Sequence, residues 1–124
     1  MIQPNVLVID DDADIRGAIG EALSDEGMAV GTASDGREAL QRAEEARPSL
    51  VILDITLPML DGYQVADELR QRYGVLPILA ISADGRAAAK ARRVGAFAYL
   101  RKPFELEELV ALVKRGLTDE NLSS

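Results

Sequence analysis

Five short apolar runs alternate with amphipathic stretches along the chain. The runs occupy residues 6–9, 28–33, 50–54, 77–81 and 97–100. The central one, LVILD at 50–54, has no polar residue before its last position, the pattern of a strand buried on both faces. Between the first two runs, Ile15, Ile19 and Leu23 recur at helical spacing with Ala18 and Ala22, opposite Arg16, Glu21 and Asp25, which predicts an amphipathic helix that Gly27 ends. Asp35 and Glu38 resemble a capping box for a second helix with Ala39, Leu40, Ala43 and Ala46 on its apolar side. Asp61 and Gln64 can cap a third, with Val65, Ala66, Leu69 and Tyr73 on one stripe and Gly74 as its stop.

The fourth helix, predicted over 85–94, is built of alanines with Arg86, Lys90, Arg92 and Arg93. Alanine favours helix, but small side chains bury little area and anchor it thinly. After Gly95, the fifth run and a break at Lys102-Pro103, Leu106, Leu109, Val110, Val113 and Leu117 mark the core side of a last helix. Its first turn holds Glu105, Glu107 and Glu108, whose sign suits the helix dipole. Strand then helix, five times over, predicts an α/β domain: a doubly wound, parallel five-stranded sheet with helices on both faces. The domain spans 1–117, and residues 118–124 read as a tail or the start of a linker.

In such a sheet the carboxyl ends of the strands lie along one edge, where ligands bind. Asp10 and Asp11 end the first strand, Asp54 the third and Ser82 the fourth, while Lys102 follows the fifth. Each residue also has a structural explanation. Asp54 can simply end a strand or join a turn, Asp12 can cap the first helix, Ser82 can cap the fourth, and Lys102 can be a solvated charge. Their joint placement at one edge favours chemistry instead. Clustered carboxylates with neither His nor Cys nearby call for a hard cation, Mg²⁺ or Mn²⁺. With a lysine and a hydroxyl to stabilise phosphoryl oxygens, a carboxylate can form an aspartyl phosphate.

Composition narrows the field. The 124 residues include no Cys, His or Trp, which excludes disulfides, thiolate or imidazole zinc sites, Ser-His-Asp hydrolysis and a phosphohistidine on this chain. Fourteen basic against 21 acidic residues give a net charge of −7, disfavouring a nucleic-acid surface. No apolar stretch is of membrane-spanning length and the start lacks a signal-peptide pattern, so the cytoplasm is expected.

VLVIDDD at 6–12, LVILDITLPMLDG at 50–62, ILAISA at 78–83 and GAFAYLRKPF at 95–104 together resemble the receiver domains of two-component response regulators, over about residues 6–115. The resemblance implies a flavodoxin-like sheet of order 2-1-3-4-5. It implies that Asp54 is the phosphoacceptor, that Asp11 is a direct metal ligand with Asp10 acting through water, and that the Thr56 carbonyl is a further metal contact. Asp12 stands where the family often has a third acid. Lys102 matches the invariant lysine, held by a cis bond to Pro103, and Ser82 with Tyr99 matches the switch pair. Without the family match, an amphipathic residue at the core edge is the lesser alternative reading of Tyr99. Thr56 sits where the family varies and where phosphoryl lifetime is often tuned.

The function expected is a phosphorylation-dependent signalling switch, charged by a sensor histidine kinase or a histidine phosphotransfer protein docking near the first helix. It would catalyse its own phosphorylation and slow dephosphorylation, without multiple turnover. Two other readings compete: an interaction module of the same fold that never uses the pocket, and a phosphohydrolase with an aspartyl nucleophile on the first strand, suggested by Asp10 and Asp12. From the start at Met1 the receiver is expected first in its gene product, as a single-domain regulator acting on a protein effector or joined to a C-terminal output domain. Direct nucleic-acid or membrane binding is not expected of this segment. The opposed charges of the fourth and fifth helices suggest a weak homodimer.

Overall fold

A computed structural model describes residues 4–56, 62–85 and 87–118. The elements are β1 (Asn5–Ile9), α1 (Ala13–Asp25), β2 (Ala29–Ala33), α2 (Gly36–Glu45), β3 (Leu50–Asp54), α3 (Gly62–Tyr73), β4 (Ile78–Ser82), α4 (Ala88–Arg93), β5 (Ala98–Arg101) and α5 (Leu106–Thr118). All strand pairs are parallel and the order is β2-β1-β3-β4-β5, as the resemblance implies.

Strand alternation splits the core in two. Leu7, Ile9, Val51, Leu53 and Ile78 pack with Ala39 and Ala43 of α2, Val65 and Leu69 of α3 and Ala91 of α4. Val6, Val8, Leu50, Ile52 and Leu79 pack with Ile19 and Leu23 of α1 and Leu109 and Val113 of α5. All five residues of β3 are buried. Gly27, Gly74 and Gly95 all have positive φ, which lets the chain turn sharply after α1, α3 and α4.

Several expectations need correction. Ala46 is exposed and already extended, so it ends α2 rather than joining its apolar side. Ala18 is also exposed, and Leu106, the first residue of α5, is 38% exposed. Strands β4 and β5 each sit one residue later than predicted: Pro77 has no N–H to pair and contributes only its carbonyl, which accepts from Val51 N at 3.0 Å. Helix α4 is six residues long, not ten. Ala87 at its N-cap offers no side-chain acceptor, so the chain turns at Asp84, whose carbonyl accepts from Ala87 N, before the helix begins. The capping pair at Asp61, Arg86 and the tail beyond 118 lie outside the described residues. Among the described residues no helix is long and apolar enough to cross a membrane.

Candidate functional site

Three strand ends carry the site. Asp10 follows the last paired residue of β1 and is fully buried, while Asp54 closes β3 at 3% exposure. Lys102 follows β5, and its backbone N–H donates to Ser82 O at 2.9 Å. Its ammonium reaches inward to Asp54 Oδ2 at 3.0 Å and Asp10 Oδ2 at 2.7 Å. It is therefore no solvated surface charge.

The other oxygen of Asp54, Oδ1, accepts from Thr56 N at 2.9 Å and from Thr56 Oγ1 at 2.6 Å. Both faces of the carboxylate are thus held. Asp10 Oδ1 accepts from Asp12 N at 2.9 Å, whereas Asp10 Oδ2 is buried and has only the ion contact, without an aligned hydrogen bond. Burial raises the Asp10 carboxyl above its ordinary pKa; the Lys102 and Asp12 contacts oppose this and the Asp54 charge reinforces it. For Lys102, burial alone would lower the pKa, but its bonds to Asp10 and Asp54 and their charges outweigh burial and raise it.

Asp10, Asp11 and Asp54 offer carboxylate oxygens within 4.8 Å of one another, with Asp11 exposed. When ionised, three carboxylates against one ammonium leave two negative charges uncompensated. A buried oxygen without an aligned donor, an all-oxygen donor set and a charge deficit of two fit a hard divalent cation. Asp12 stands apart from this group. It caps α1, accepting from Asp14 N at 2.9 Å and Ile15 N at 3.2 Å.

Ser82 is fully buried, and its hydroxyl accepts from Asp84 N at 3.0 Å. It does not cap α4, which starts six residues on. Tyr99 is half-buried against the α3–α4 side of the core and donates to Asp84 O at 3.0 Å. The proposed switch pair therefore meets through the Asp84 backbone, a link the sequence reading missed. Lys102-Pro103 is cis.

A family profile described as "Response regulator receiver domain" matches residues 6–114. The chain belongs to that family. This receiver is 45% identical over 115 residues to the transcriptional regulatory protein PrrA of Mycobacterium tuberculosis, covering 90% of the receiver and 48% of PrrA. It thus spans about half the length of that relative. Among solved structures it is similar to the chemotaxis protein CheY4 of Vibrio cholerae, with TM-score 0.84, 35% identity and coverage of 92% of the receiver and 98% of CheY4. It is also similar to the response regulator TrrA of Thermotoga maritima, solved in complex with Mg²⁺-BeF, with TM-score 0.80, 34% identity and coverage of 91% and 98%.

Proposed function

We propose that this receiver is a phosphorylation-dependent switch in which Asp54 accepts a phosphoryl group from a phosphohistidine on a sensor kinase or phosphotransfer protein. The observation that carries the reading is the buried Asp54 carboxylate, gripped by Lys102 and Thr56 beside Asp10 and Asp11. An Asp54 oxygen attacks phosphorus, the P–N bond breaks, and the electron pair leaves with the imidazole of the donor. Lys102 balances the negative charge carried onto Asp54. Asp10, Asp11 and Asp54, with the Thr56 carbonyl, would hold Mg²⁺, or Mn²⁺ in its place. When bound, the cation neutralises the phosphoryl oxygens. Resetting is hydrolysis: water attacks phosphorus, the bond to the Asp54 oxygen breaks and inorganic phosphate leaves.

Phosphorylation adds charge and acceptor oxygens at the end of β3. Ser82 and Tyr99 would transmit this change, since both hold the Asp84 backbone in the turn leading to α4. That helix has a thin apolar anchor, Ala91 within it and Ala87 and Val94 at its two ends. The receiver of the change is a protein effector or a C-terminal output domain on the same chain. Intact mass after incubation with a small acyl or amido phosphate tests the reading. One added phosphate that requires Mg²⁺ and is lost in Asp54→Asn supports it, and no addition under any condition refutes it. Many phosphates released per chain from a phosphomonoester would instead identify a phosphohydrolase.

A further inference from the structure

We propose that Arg16 is a positioning residue for the cation site: by holding the peptide between Asp10 and Asp11, it aims the Asp11 carboxylate. The inference rests on the divalent-cation reading given above. The Asp10 N–H donates to Ala33 O at 3.1 Å and Asp10 Oδ1 accepts from Asp12 N, so its amide and its side chain are both fixed. Its carbonyl is not, because Asp10 lies one residue past the last paired residue of β1. Arg16, half-buried on the first turns of α1, closes that gap by donating from Nη1 to Asp10 O at 2.7 Å. On the other side, Asp12 is committed to capping α1.

Asp11 lies between these two fixed points, exposed, and its carboxylate accepts no hydrogen bond among the described residues. The direction of its Cα–Cβ bond follows from the peptide that Arg16 holds. A donor behind a metal ligand typically carries about ten- to a hundredfold in metal affinity. Electrostatics act the other way, for a guanidinium beside a cation site repels the cation. Positioning and mere charge therefore predict opposite signs for removing Arg16.

The test is calorimetric titration of Mg²⁺ alone into the full chain, for the parent, Arg16→Ala and Arg16→Lys, well below each protein's thermal transition. Positioning predicts binding about tenfold weaker in Arg16→Ala, with part of the loss recovered in Arg16→Lys. Equal or tighter binding in Arg16→Ala overturns the assignment, as does an Arg16→Lys variant as weak as Arg16→Ala. A lower melting temperature with unchanged Mg²⁺ affinity marks a purely structural role and also overturns it. Failure of the parent to bind Mg²⁺ removes the cation reading itself, and the assignment with it.

Discussion

Asp54 is held on both oxygens, by Lys102 on one and by the backbone and hydroxyl of Thr56 on the other. A hydroxyl donated to a carboxylate withdraws electron density from the oxygen that receives it, so Thr56→Val should make Asp54 a better nucleophile. Uptake of phosphate from a small donor is expected to quicken about fivefold, the equivalent of about 1 kcal/mol. A mass time course showing unchanged or slower uptake would contradict this. Asp10 sets a pH dependence. Its folded pKa is raised, chiefly by burial, so the folded state binds that proton more tightly than the unfolded chain. The stability Asp10 gives is present at low pH and is lost as pH rises through the raised folded value. Denaturant titrations without divalent cation should show Asp10→Asn more stable than the parent at neutral pH, with the gap closing towards acid. A gap that widens on acidification would reverse the sign. Asp10 and Asp54 were legible because each stops an apolar run, and Lys102 because it follows one just before a proline. The Thr56 hydroxyl and Arg16 were not, since their reach back to Asp54 and Asp10 depends on turn geometry that a linear pattern does not carry.

Helix α4 is fixed at one end. Arg70 of α3 donates to the carbonyls of Val94 and Gly95 just past its C-terminus, the Gly95 bond being 2.9 Å. Arg93 lies 4.2 Å over the Tyr63 ring of α3, adding a cation–π contact. The start of the helix has no side-chain cap, so movement should concentrate there. Arg70→Ala should release the fixed end and speed amide exchange across α4 while leaving α1 unchanged; equal protection in parent and variant would show that Arg70 does not anchor it. At α5 the decisive residue is Gly116, where an added Cβ would stand 2.6 Å from Leu50 Cδ1 and 2.6 Å from Phe97 Cζ. Alanine gains about 1 kcal/mol of helix propensity, but overpacking costs about 1–3 kcal/mol. Leu50 is fully buried and has little room to yield, so overpacking wins. Gly116→Ala should lose about 1 kcal/mol in denaturant unfolding, and a stabilised variant would contradict the packing. The helix faces of α1, α2, α3 and α5 were largely readable from periodicity. The shortness of α4 was hidden because alanine propensity favours helix everywhere, whereas the missing cap decides where it starts.

Across the whole molecule, parallel strands bring residues from positions 10, 54, 82 and 102 to one edge of a single sheet. The alternation of strands and helices announced that edge, but the strand order came from the family resemblance, because periodicity does not say which strands are neighbours. The concentrated acids leave the ligand-free domain strained by like charges, so a divalent cation should stabilise it. At a hundredfold excess over Kd, Mg²⁺ should add about 2.7 kcal/mol, several degrees in Tm. Asp11→Ala should abolish most of that shift; retention of the full shift would place the cation elsewhere. The central claim, a phosphoryl group carried on Asp54, is tested most directly by borohydride trapping. The protein is phosphorylated with a small donor and Mg²⁺, reduced so that an acyl phosphate becomes homoserine, and its peptides are weighed. Homoserine at position 54 alone is the result predicted. Homoserine at position 10 or 11, or at no position, would contradict it.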